Sequence, residues 1–136
     1  MIVIVALDDR GGMMFNHRRQ SQDEILRERI LKVTAGKKLW MNHYSEKQFP
    51  NAAEIPQINV SDDFLSEAGP GEYCFVENES LAPFAKWVEG LIVYRWNRAY
   101  PGDQKFDIPL DQWRMVSSVD FQGKSHERIT EEVYGR

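Results

Sequence analysis

Apolar positions along the chain fall into runs of two kinds, and the spacing in each predicts an element. Ile2 to Leu7 is apolar throughout and rich in β-branched residues, the pattern of a strand buried on both faces. Asp8-Asp9-Arg10-Gly11-Gly12 ends it, and Met13 to Gln20 reads as a polar loop. Ser21-Gln22-Asp23-Glu24 has the form of a capping box, with Ser21 as the cap and Glu24 reaching back to it. A helix is predicted from there to about Ala35, with Leu26, Ile30 and Val33 on one face and Gly36 closing it. Lys38 to Met41 reads as a second parallel strand. Asn42 to Phe49 is a helical turn stopped by Pro50, Ile55 to Val60 alternates as a strand, and Asp62 to Gly71 is a loop with room for one helical turn.

Tyr73 to Val76 and Leu91 to Trp96 are two further strands. The helix between them, about Leu81 to Val88, takes Ser80 as its predicted cap and carries Pro83 in its first turn, where the missing N–H costs nothing. Trp113 to Phe121 and Arg128 to Tyr134 alternate, and Gln122-Gly123-Lys124 can turn one onto the other as an antiparallel hairpin. The predicted fold class is α/β: a mostly parallel sheet with flanking helices and a C-terminal antiparallel hairpin, in one domain over residues 1–136.

Composition narrows the function. Apolar residues make up 42% and charged residues 28% of the chain, as in a water-soluble globular protein. A net charge of -4 argues against general nucleic-acid binding, which needs an excess of Lys and Arg. The single cysteine, Cys74, excludes an internal disulfide and a multi-cysteine zinc site, and its apolar setting reads as a buried inert thiol. No apolar run has the length of a membrane span, and the apolar start lacks the basic flank of a signal peptide, so a cytoplasmic location is expected. The three histidines lack the spacing of a metal site, and no metal is predicted.

The order of elements, with Gly102, Asp103, Phe106 and Trp113 ahead of the hairpin, resembles the dihydrofolate reductase family. That resemblance implies the family's fold, a carboxylate at the start of the long helix for the pterin (Asp23 or Glu24 here), and an NADP cofactor. The cofactor motifs are altered. A Gly-Gly pair that receives the pyrophosphate in the family is Glu77-Asn78 here, and its Gly-Arg-x-Thr is Asn42-His43-Tyr44-Ser45. NADP is therefore disfavoured and no cofactor is predicted. A carboxylate thus occupies a corner that the family gives to glycine, and its expected donors are a neutral or cationic ligand, or Asn42 or His43 across the strand ends.

In open α/β sheets, ligands bind beyond the carboxyl ends of the parallel strands. Asp9, Asn42, His43, Glu77 and Asn78 all follow predicted strands, so one crevice would receive them together. Asp9, Glu24, His43 and Glu77 are the candidate acid, base and binding groups. Asn42, Ser45, Asn78, His17 and Arg18, with Arg19 beside them, are the candidate ligand contacts. Each has a plainer reading: turn chemistry for Asp9, the capping box for Glu24, a cap on the following helix for Glu77, and a solvated basic loop for His17 and Arg18. His126, in Ser125-His126-Glu127, reads as a surface histidine of the hairpin. Two functions of different class follow: an enzyme acting on a small polar or nucleotide-like ligand, or a domain that binds a ligand or partner without chemistry. An NADPH-dependent reductase is a third.

Overall fold

The computed structural model describes every residue from Met1 to Arg136. Its strands are β1 (Ile2–Leu7), β2 (Gly12–Phe15), β3 (Arg18–Arg19), β4 (Leu39–Met41), β5 (Ile58–Val60), β6 (Tyr73–Phe75), β7 (Gly90–Arg95), β8 (Gln104–Lys105), β9 (Arg114–Phe121) and β10 (Ile129–Gly135). Its α-helices are α1 (Glu24–Val33), α2 (His43–Glu46) and α3 (Phe64–Glu67). Seven strands form the main sheet in the order β5-β4-β6-β1-β7-β10-β9. The strands from β5 to β7 run parallel, and β10 and β9 close the sheet as an antiparallel pair. The predicted mixed sheet is therefore the one observed.

The uninterrupted apolar character of β1 follows from its central place between β6 and β7. Val3, Val5 and Leu7 enter a core with Phe64, Cys74, Leu81 and Val93 on one face. Ile4 enters a second core with Leu26, Ile30, Phe75 and Tyr94 on the other. The face of α1 carrying Leu26 and Ile30 covers this second core, as its spacing predicts. No helix is long and apolar enough to cross a membrane.

Four local expectations are corrected. First, the stretch from Met13 to Gln20 is not a free loop. Met13 and Met14 are buried, and β3, β2 and β8 form a small second sheet in that order. Asn16 and His17 sit at φ 51° and 62° between β2 and β3, the backbone of a two-residue hairpin turn, where Asn is favoured. The pairing with β8 joins positions some ninety residues apart, so no local pattern shows it. Second, the cap of α1 is Asp23 and not Ser21. The Asp23 carboxylate accepts from the N–H groups of Ile25 and Leu26, and the helix begins at Glu24. Third, residues Ala82–Trp87 form a 3₁₀ helix, and Ser80 does not cap it. Asp107 does so from a distant loop, accepting from Leu81 N, Ala82 N and the Ser80 hydroxyl. Fourth, β9 is not a regular strand. Val133 pairs with Ser117 but Tyr134 with Met115, so Val116 is an extra residue, a bulge on the sheet edge.

Candidate functional site

The carboxyl ends of β4, β6, β1 and β7 stand side by side and carry polar groups, as their order in the sheet requires. At the end of β1 the ordered carboxylate is Asp8. It is buried and accepts from Arg10 N, Gly12 N and Tyr100 N, with Gln20 Nε2 at 3.3 Å. Burial pushes its carboxyl up, but these bonds outweigh burial and hold it below the usual carboxylate range. At the end of β4, Asn42 caps α2 by accepting from Ser45 N, and its amide donates to Asn78 Oδ1 at 2.8 Å across the sheet.

Glu77, the carboxylate that follows β6, meets a cation. Arg19 grips it with two bonds, Nε to Oε2 at 2.9 Å and Nη2 to Oε1 at 3.1 Å. Gln48 Nε2 donates to Oε2 at 3.0 Å. Arg19 lies over the Tyr44 ring, and its backbone N–H donates to the Tyr44 hydroxyl. The pair is largely withdrawn from water, with side-chain exposures of 21% for Arg19 and 9% for Glu77. Together with Ser21, Leu26 and Trp96 they line a small cavity of about 10 Å³, room for about one water. The start of α1 sends Leu26 into this cavity and no carboxylate.

A second polar cluster adjoins the cavity through Ser21. His126 is buried, with its ring stacked on Trp96 at 4.5 Å between centroids. Its Nδ1 faces Asp23 Oδ2 at 2.9 Å, and its Nε2 faces Ser21 Oγ at 2.9 Å and the Tyr100 hydroxyl at 3.1 Å. An ionised carboxylate only accepts, so Nδ1 carries a proton, and in the neutral ring Nε2 is the acceptor. Asp23 also accepts from Lys124 N, Ser125 N and the Ser125 hydroxyl. Burial raises the Asp23 carboxyl, but the bonds from His126, Lys124 and Ser125 prevail and hold it far below the usual range. Gly123 is obligatory beside it, since a Cβ there would lie 2.6 Å from Asp23 Oδ2.

Of the candidates from sequence, Glu77, Asn42 and Asn78 stand together at the ends of β4 and β6, and Ser45 is buried beneath them with its hydroxyl unpartnered. Glu77 does not accept from Asn42 or His43, since Arg19 and Gln48 take its oxygens. Asp9 is exposed, while its neighbour Asp8 is the organised group. His43 is exposed and faces Asp62 at 3.0 Å. Glu24 is exposed and pairs with Lys124, so neither reaches the cavity. His17 and Arg18 are exposed beside the small sheet. His126 is not a surface residue, because the hairpin loop folds back onto the start of α1.

No protein-family model matches the sequence, and no curated protein does. Similarity lies in the backbone. A solved dihydrofolate reductase from Enterococcus faecalis, complexed with NADP(H) and RAB-propyl, superposes with a TM-score of 0.71 over 99% of this chain and 95% of that one. The chain has a dihydrofolate reductase-like fold. Identity to that enzyme is 15%, so the likeness is one of fold alone. Within that fold the residues carrying the most ordered polar geometry are Arg19, Glu77, Gln48, Asp23 and His126. Sequence reasoning pointed at Glu77 but offered Asn42 or His43 as its partner within the chain and not Arg19, which lies 58 residues away. It gave Asp23 a secondary place and His126 none, since their contact spans 103 residues.

Proposed function

We propose that this chain is a divergent dihydrofolate reductase-like protein that binds a small polar or nucleotide-like ligand at the strand-end crevice and does not carry out NADPH-dependent folate reduction. The observation behind this reading is the Arg19–Glu77–Gln48 assembly at the corner after β6. A pyrophosphate arriving there would meet a carboxylate already matched to its own guanidinium. Were the pyrophosphate to draw that guanidinium to itself, the freed carboxylate would stand a few ångströms from it, and two unit negative charges so placed cost about 1–4 kcal/mol in a partly wet site. The recess beyond the corner is also acidic, with Asp62, Asp63 and Glu79 on its wall. These residues do not fit a dinucleotide phosphate. The first turn of α1 likewise presents Leu26 to the cavity, with Asp23 and Glu24 engaged elsewhere. A ligand gains access when the Arg19 guanidinium swings off Glu77, and the freed carboxylate then accepts from a neutral or cationic group. Asn42 and Asn78 are further contacts at the same edge.

Calorimetric titration with NADPH and with dihydrofolate tests the negative half of this reading. Affinity weaker than about 1 mM is expected for both. Low-micromolar binding of NADPH, about -8 kcal/mol, would overturn it. The positive half is tested with adenosine and cytidine as probes. Either should raise the melting temperature of the wild type and not that of Glu77→Gln, and no shift with either would remove the nucleotide-like ligand.

A further inference from the structure

We propose that Ser21 is a nucleophile, activated by His126 and oriented through Asp23, and that the chain hydrolyses short-chain carboxylic esters carrying a negative charge. This goes beyond ligand binding at the Glu77 corner and does not rest on it.

The geometry carries the assignment. Ser21 Oγ to His126 Nε2 and His126 Nδ1 to Asp23 Oδ2 are each 2.9 Å, the distances of a nucleophile held by a base that is held by a carboxylate. The base is fixed from every side: Trp96 stacks on its ring, Asp23 takes Nδ1–H, and the side chain is 3% exposed. Asp23 is fixed in turn by the hairpin and the helix start. Ser21 itself is only half-buried and belongs to no helix or strand. The residue lines the small cavity at the Glu77 corner, and its neighbour Gln20 and the facing Tyr100 line an open recess beside it. The backbone N–H groups of Ser21 and Gln22 have no acceptor within the chain, and the N–H of a nucleophile, or of the residue after it, commonly supplies one of the donors to a developing oxyanion.

A purely structural account, in which the cluster staples the hairpin loop to α1, explains Asp23, Lys124 and Ser125. A buried Nε2 needs one donor and has two hydroxyls against it, Ser21 and Tyr100, so one of them exceeds what the staple requires. Tyr100, the second of them, leads outward to an open recess of about 230 Å³ shared with Gln20, Asn16 and Arg18. That volume takes a short acyl group and no long chain, and the exposed Arg18 favours a carboxylate on it.

The reaction balances within these groups. Ser21 Oγ attacks the ester carbonyl carbon as its proton passes to His126 Nε2. The carbonyl electron pair moves to oxygen, then returns to expel the alkoxide, which leaves as the alcohol with the proton from Nε2. Water attacks the acyl-serine with His126 as base, the serine oxygen recovers its proton, and a carboxylic acid is released.

Intact-mass analysis after treatment with a fluorophosphonate tests the nucleophile. One phosphonyl group per chain is expected, mapped by peptide sequencing to Ser21 and absent in Ser21→Ala. His126→Gln should slow labelling by about 10²–10⁴-fold. No adduct, or an adduct on another residue, overturns the proposal. Ser21→Cys guards against a misfolded alanine variant: iodoacetamide should modify its thiol faster than that of Ser21→Cys combined with His126→Gln, and equal rates would count against an activated position. For the substrate, 4-nitrophenyl hydrogen succinate should turn over faster than 4-nitrophenyl acetate, and Arg18→Ala should erase the difference. An equal rate in the wild type refutes the anionic assignment. Asp23 acts through His126, so Asp23→Asn, assayed where circular dichroism shows it folded, should lower kcat with KM unchanged. An unaltered kcat would deny Asp23 that positioning role.

Discussion

Removing the carboxylate at the β6 corner is the sharpest probe of how the site is held. Glu77→Ala strands the Arg19 guanidinium with one remaining acceptor, Tyr44 O at 3.3 Å, and leaves the Gln48 amide unpaired. Breaking a fully buried ion pair by deleting one partner costs about 3–5 kcal/mol. Arg19 retains 21% side-chain exposure, so water recovers part of its charge, and about 2–3 kcal/mol is expected here. For a chain of this length that lowers the melting temperature by roughly 10 °C. Urea unfolding followed by tryptophan fluorescence should show a lower midpoint with an unchanged slope. A double-mutant cycle with Arg19→Ala should return a coupling energy of about 1–3 kcal/mol, since the double variant leaves no charge stranded. A Glu77→Ala midpoint within about 0.5 kcal/mol of wild type, or a coupling energy near zero, would refute the reasoning and reduce the pair to a surface contact.

Ile4 has no exposure in the middle of the sheet, so Ile4→Asp must dehydrate a charge and should unfold the domain; a soluble variant melting at the wild-type temperature would contradict its placement. Asp23→Ala should cost about 3 kcal/mol, because a cap and several buried donors are lost together, whereas Ser21→Ala should stay under about 1 kcal/mol. Equal effects of the two in thermal melts would return the cap to Ser21. The Asp23 carboxyl is depressed in the folded state, so its contribution is full above the unfolded value of about 4 and is lost as pH falls below it. The stability gap between wild type and Asp23→Asn should therefore narrow on acidification, and a gap constant from pH 7 to 2.5 would contradict this. Burial pushes the Cys74 thiol up to about 12, so Ellman's reagent at pH 8 should react only after urea is added; rapid reaction with the native chain would place Cys74 outside the core.

The sheet was legible because its strands announce themselves locally. Ile2–Leu7 and Leu91–Val93 are apolar at consecutive positions, and only a strand covered on both faces needs that. Helix α1 was legible from Leu26 and Ile30, four residues apart on its buried side. The polar geometry was not legible, because every bond that defines it joins distant segments. Nothing near Glu77 announces Arg19, and nothing near His126 announces Ser21 or Asp23. Ser21 and Asp23 are equally good helix caps by residue type, and the choice falls to Asp23 because the hairpin loop supplies further donors to that carboxylate. The one local hint was Gly123: a glycine next to the histidine segment marks a backbone pressed against something, here the Asp23 carboxylate.

The central place of β1 also sets the order in which the chain can assemble on the ribosome. Its two neighbours, β6 and β7, end at Phe75 and Arg95, so β1 waits for partners made much later. At about 5–20 residues per second, that delay is roughly 5–20 s, far longer than local collapse takes. During it, Ile2–Leu7 is an apolar segment with both backbone edges open, the kind of segment that chaperones hold and that nascent chains otherwise aggregate through. Translation speed between β1 and β7 should therefore govern yield more than speed anywhere in the hairpin, whose two strands emerge together.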